Sequence, residues 1–292
     1  MLIMMLTATL TVACSRAVDV DVVIPSEGEQ LVANGLLAPE RAVSVSVTRT
    51  APVVGPIQND LSVRDATVVL FQENQPVEKL RHAGDGMYTS PSGFVPQVGQ
   101  LYHLVIERND EKLTTNGQTV PAAPVVTEVR YQAGAVLPLN DDSRAGGLSL
   151  TLVDTLPQGF YSVDVRGFRL SEEVAINVWA LNEIDEVSVA CGFVGGNDTF
   201  DFSTACFADN AYRAAYGVET TGWSLNGERV DCTHLEVSVT KISEDYYRYL
   251  ETSVQPEGID LAFVEPQVVF SNVPGGYGIV GAAHPITFTI EL

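Results

Sequence analysis

Alternation with a period of two residues constrains this chain more than any other feature. The stretches SVSVTRT (44–50), ATVVLFQ (66–72), LYHLVIER (101–108) and KLTTNGQTV (112–120) set apolar and polar side chains in turn. Successive side chains of a strand point to opposite faces, so runs of this kind fit half-buried strands and give a helix no continuous apolar stripe. Turn residues at Gly84-Asp85-Gly86 and at Asn109-Asp110 punctuate them. Short strands at close spacing, with no long helix between them, predict an antiparallel sandwich of about seven strands over residues 30–120, of immunoglobulin-like or transthyretin-like kind.

The stretch TVPAAPVV (119–126) marks a boundary, because proline removes a ladder donor and favours extended linker geometry. Beyond it, 126–292 reads as a second β-rich domain. Its strands are expected at GLSLTLVD (147–154), YSVDVRGFRL (161–170), VAINVWAL (174–181), HLEVSVTKI (234–242), PQVVFSNV (266–273) and HPITFTIEL (284–292). One short helix interrupts them in SEDYYRYLET. Ser243 is its expected N-cap, Glu244 and Asp245 suit the positive end of the dipole, and Tyr246, Tyr249 and Leu250 share a face directed at the sheet.

The fourteen residues MLIMMLTATLTVAC are too short for a membrane-spanning helix and give way at once to polar sequence. They read as a signal peptide over 1–13, with Ala13 before Cys14 as in the lipobox where lipoprotein signals are cut and the cysteine is acylated. Residues 14–29 then form a tether, whose sixteen residues reach at most roughly 55 Å when extended. The other cysteines are Cys191, Cys206 and Cys232. A Cys191–Cys206 disulfide would close a loop of about 15 residues, worth roughly 3 kcal/mol in the chain-entropy model. Zinc at Cys232 and His234 is a competing use of these thiols, but no C-x-x-C or H-E-x-x-H accompanies it.

Charge and motifs exclude more than they assign. The formal charge of −21 repels nucleic-acid backbones and anionic lipid surfaces, so no nucleic-acid partner is expected. Gly276, Gly278 and Gly281 in NVPGGYGIVGAA match the G-x-G-x-x-G of dinucleotide-binding loops. Pro285, a strand-like ending and only eleven following residues leave no room for the helix and the ribose-binding acid that such a loop requires. The glycines fit a turn or bulge between strands. Asn197, Asp198 and Asp201 are hard oxygen ligands in a Gly-rich loop and make a weak calcium candidate outside EF-hand spacing. GWSLNG around Ser224 misses the nucleophile-elbow spacing by one residue, His82, His103, His234 and His284 show no helical metal spacing, and Glu183 with Asp185 is one carboxylate pair among 37 acids. No catalytic residue and no cofactor is assigned.

With SEDYYRYLET and FVEPQVVFSNVPGGYGIVGA in order, the chain resembles the bacterial lipoproteins of the domain of unknown function 4249 family. The matching positions are Tyr247, Tyr249, Phe263, Glu265, Pro266, Ser271, Asn272, Gly276, Gly278 and Gly281. LVANGLLAPERAVSVSVTRT, VRDATVVLFQENQ, GDGMYTSP and GQLYHLVIE follow the family's order in the front half, and Val280 stands where an aromatic residue is commoner. The resemblance implies an exported outer-membrane lipoprotein of Bacteroidota-type bacteria, often encoded beside TonB-dependent receptors, with no catalytic residues to transfer. The expected function is that of a lipid-anchored cell-envelope accessory or binding protein working with such a receptor. The alternative is an extracellular hydrolase whose site only the fold assembles.

Overall fold

The computed structural model describes residues 28–51, 60–139, 142–155, 159–181, 199–207, 209–253 and 268–292, together with the backbone of 194–195. The described residues are mainly β and antiparallel, with one short α-helix and one 3-10 turn (Thr204–Cys206) among them. Among the described residues no helix is long and apolar enough to cross a membrane.

Eight strands make the first layer pair: β1 (Leu31–Leu37), β2 (Ser44–Arg49), β3 (Thr67–Gln72), β4 (Gln75–Gly84), β5 (Met87–Thr89), β6 (Leu101–Arg108), β7 (Glu111–Thr114) and β8 (Gln118–Thr119). Their order is β1-β2-β5-β4-β3-β6-β7, with β8 beside β6. β4 pairs with β3 through Leu80 and with β5 from Arg81 onward, so one strand turns the sheet over on itself. The alternating residues point inward as expected: Val45 and Val47, Val68 and Leu70, and Leu104 and Ile106 belong to one buried cluster. The turns fall where the sequence sets them, and Asp85 and Asn109 adopt positive φ, a conformation short polar side chains tolerate. The run 112–120 is split in two, because Thr115 turns inward and its hydroxyl accepts from the Leu104 N–H at 3.0 Å.

The second region contributes β9 (Val125–Ala133), β10 (Ala145–Val153), β11 (Phe160–Arg169), β12 (Glu172–Val174), β13 (Val178–Ala180), β14 (Val194–Gly195), β15 (Thr199–Ser203), β16 (Ala211–Glu219), β17 (Thr221–Trp223), β18 (Arg229–Asp231), β19 (His234–Ile242) and β20 (Val280–Glu291), with helix α1 (Glu244–Ser253) between the last two strands. One sheet runs β14-β15-β11-β19-β20 and the other β13-β16-β10-β9. Leu148, Leu150 and Leu152 of the second face Val163, Val165, Val237 and Val239 of the first in a second core. The expected strand at 174–181 is two short pieces. Ala175 leaves to bridge Trp223, donating to its C=O at 2.9 Å and accepting from its N–H at 3.0 Å.

β20 ties the two cores together. Val280, Gly281 and Ala282 pair in parallel with Gly35, Leu36 and Leu37 of β1, whereas Ala283 to Glu291 pair antiparallel with β19. The sheet is therefore continuous from one core to the other. Val273, Val280 and Ala282, distant in sequence from the first region, lie in its core.

Candidate functional site

The G-x-G-x-x-G segment sits where β20 crosses from core to core. Asn272 is 1% exposed. Its amide accepts from the Val280 N–H at 2.9 Å and donates to the Val280 C=O at 2.9 Å and to Asp245 Oδ2 at 3.0 Å. One side chain thus occupies the place of a ladder partner and closes the loop 272–280. This is why the strand expected over 266–273 is absent from its described part: 268–272 is irregular backbone whose pairing has passed to the Asn272 amide.

Each glycine of the motif answers to a different crowding. A Cβ on Gly276 would stand 2.6 Å from the Leu31 C=O oxygen, and one on Gly278, at φ +105°, would stand 2.2 Å from that of Ala33. A Cβ on Gly281 would stand 2.7 Å from Cβ of Tyr246. Between the glycines, Tyr277 donates to the Leu31 C=O at 3.0 Å and accepts from the Ala33 N–H at 2.9 Å, and Ile279 accepts from the Gly35 N–H. The segment is an irregular extension of β20 laid along β1.

Helix α1 closes the junction from the other side. Ser243 exchanges bonds with Ala282: its N–H donates to the Ala282 C=O at 2.8 Å and its hydroxyl accepts from the Ala282 N–H at 3.0 Å. Asp245 accepts from Gln118 Nε2 at 2.7 Å, which links the helix to the end of the first region. Tyr247 is the buried residue of the helix, stacked on Phe160 at 4.7 Å, and burial pushes its hydroxyl up to about 12. Tyr249 stacks on Tyr246 at 6.3 Å, and Arg248 lies 4.1 Å over the Phe270 ring. The Ser271 hydroxyl accepts from the Val273 N–H at 3.3 Å. Of the ten signature positions, seven are thus brought to one junction; Phe263, Glu265 and Pro266 lie outside the described residues, as do Cys14, Cys191, Asn197 and Asp198 and the Cys206 side chain.

Asp201, the described member of the calcium candidate, is 4% exposed on β15, and its Oδ1 has no hydrogen-bond partner among the described residues. Burial pushes this carboxyl up to about 6, and a hydrogen bond with Ser162 opposes the rise. Among the described residues no group of three or more His, Cys, Asp and Glu side chains is placed to hold a metal. Cys232 is a free, buried thiol, pushed up to about 11 chiefly by burial. His234 lies flat on Phe168 at 5.2 Å.

A groove that the sequence does not announce lies at one pole of the second region. It has a volume of about 500 Å³ and runs between the β9–β10 connection, the β18 end and the C-terminal residue. Tyr131, Val136, Leu137, Pro138 and Leu292 give it apolar walls. Arg144 and Asp231 pair across its rim at 3.1 Å, and the Thr221 hydroxyl donates to Asp231 Oδ1 at 2.6 Å. Leu137 is 86% exposed, a large apolar side chain held in water beside an open cleft. These residues come from separate segments, and only the exposed leucines of a polar loop could have hinted at them.

Among comparisons with known proteins, the family model described as Domain of unknown function (DUF4249) matches residues 18–288. No curated protein matches the chain.

Proposed function

The chain belongs to the family described as Domain of unknown function (DUF4249), and from that premise we propose a lipid-anchored cell-envelope accessory protein that binds a ligand or partner and works with a TonB-dependent outer-membrane receptor. The groove beside Leu137 is the observation that carries the binding role. Apolar walls with a few convergent polar groups at one end are the usual make-up of a recognition site, because apolar burial supplies affinity and the polar pair fixes orientation. Leu137 and Leu292 gain most from being covered, at roughly 25 cal/mol per Å² of apolar surface removed from water. The anchor rests on Cys14 after an apolar leader, and the tether that follows gives the folded part reach above a membrane.

Purification of the intact chain from its native membranes in mild detergent tests the proposal. The chain is expected to bring a β-barrel receptor with it, Leu137→Asp to lose that partner while staying folded, and Cys14→Ser to leave the membrane fraction. A membrane-bound chain with an unmodified Cys14 removes the anchor. A chain that brings no barrel protein with it removes the partnership.

A further inference from the structure

β9 presents a long strand edge that no other strand of the described fold covers. Eight of its nine residues pair with β10 and none with another strand, whereas the sheet ends β7, β13, β14, β17 and β18 have four, three, two, three and three residues. A long open edge is a template for another strand, and natural proteins ordinarily blunt such edges. We propose that β9 pairs with β9 of a second copy of this chain, antiparallel about a twofold axis through Val129.

The backbone faces the right way. Gly134 N–H donates to the Ala145 C=O at 2.9 Å, in the same register that pairs Gln132 with Gly147 and Arg130 with Ser149. Even-numbered residues of this stretch therefore bond to β10, and Val129 and Tyr131 turn N–H and C=O to the open side. A twofold at Val129 makes Val129 a hydrogen-bonded pair with its own copy. The register shift that leaves Thr127 unpaired with β10 adds twist on one side of the axis, and the ladder from Glu128 to Ala133 is regular.

The side chains specify a second copy over an arbitrary strand. A twofold at Val129 sets Glu128 opposite the partner's Arg130, and the contact occurs twice, as an isologous interface requires. Both side chains are exposed, and neither has an ion-pair partner among the described residues. On the other face Val126, Val129 and Tyr131 are only partly buried against the second core. An added strand would cover them.

Sedimentation equilibrium of the full chain in density-matched detergent tests the pairing through charge swaps. The unaltered chain is expected to dimerise. Glu128→Arg sets like charges opposite each other at both contacts and weakens the dimer by about tenfold or more, as does Arg130→Glu. An equimolar mixture of these two variants restores the dimer, because every Arg then faces a Glu, and so does the double variant E128R/R130E. Unchanged circular dichroism excludes misfolding at these exposed positions. A monomeric unaltered chain at 100-micromolar order, a dimer indifferent to either reversal, or a mixture that fails to recover would each overturn the proposal.

Discussion

Replacing Asn272 by alanine removes the side chain that closes the loop 272–280. Three hydrogen bonds go at once, and the Val280 N–H and C=O are left where solvent does not reach, Val280 being fully buried. Asp245 keeps its bond from Gln118 and stays half-exposed, so its loss is minor. Two orphaned backbone groups at about 1–3 kcal/mol each give a cost of about 4 kcal/mol. For a chain of this size about 2–4 °C accompanies each kcal/mol, so the midpoint should fall by roughly 10 °C. Thermal melts followed by far-ultraviolet circular dichroism and by tryptophan fluorescence measure this. Trp179 and Trp223 both belong to the second region, whereas dichroism reports both cores. The two signals are expected to fall together, because β20 pairs with β1 and β19 along one strand. Asn272→Asp sharpens the test: it keeps an acceptor for Val280 but puts a second carboxylate 3.0 Å from Asp245 Oδ2. Its deficit should therefore be larger at pH 7 than at pH 5. A midpoint lowered by less than about 2 °C in Asn272→Ala would refute the reasoning, since water would then be serving Val280 as well as the amide does.

Gly278→Ala meets both a positive φ and the Ala33 carbonyl at 2.2 Å, so it should lower expression of folded protein more than Gly275→Ala, whose nearest neighbour is a leucine methyl at 3.5 Å. Asp201 gives a pH signature of definite sign. Its carboxyl titrates near 6 when folded and near its ordinary 3.8 when unfolded, so ionising it in the folded chain costs about 3 kcal/mol. Stability from this group is highest below the unfolded value and is lost as pH rises towards 6. Asp201→Asn should therefore stabilise the chain at pH 7.5 and show no advantage at pH 3.5, in chemical denaturation at both values. Lys241 and Asp154 form a pair at 2.6 Å with side chains 12% and 7% exposed, and Tyr161 also donates to Asp154. Lys241→Met alone should cost about 3 kcal/mol by removing the cation beside a buried carboxylate, and Lys241→Met with Asp154→Leu and Tyr161→Phe should recover most of that loss. Cys232 should resist a soluble thiol reagent at pH 8 in the folded chain and react at once in denaturant, as a buried thiol near 11 requires.

Strands that bury one face were legible because period two is written in the residues themselves: the 44–50, 101–108 and 234–242 runs became β2, β6 and β19 almost unaltered. The failures are of one kind. At 112–120, 174–181 and 266–273 the local pattern is strand-like, but Thr115, Ala175 and Asn272 each take a partner outside their own run, Leu104, Trp223 and Val280, that the alternation within the run cannot show. The helix lies where the sequence sets it, and Tyr246 and Leu250 of its expected face pack against the sheet, but its deepest residue is Tyr247. Phe160, which covers Tyr247, is 87 positions away and gave no local sign. The groove was illegible for the same reason, since Tyr131, Asp231 and Leu292 meet only after both sheets have formed.

The spacing of the three glycines follows from two neighbours. β1 turns the carbonyls of Leu31 and Ala33, two residues apart, towards the incoming segment, and each stands against a glycine, so Gly276 and Gly278 must also be two apart. Three residues later the chain has left the edge of β1 for the helix, and Gly281 admits Tyr246. A phosphate grip and this crossing share a spacing because both need backbone to come closer than a Cβ allows; in one the visitor is a ligand, in the other it is β1 and then α1. Gly281→Ala should accordingly be tolerated better in a Tyr246→Gly background, which removes the Cβ at 2.7 Å, than in the unaltered chain. No such compensation exists at Gly278, where the obstacle is a backbone oxygen that no substitution can remove.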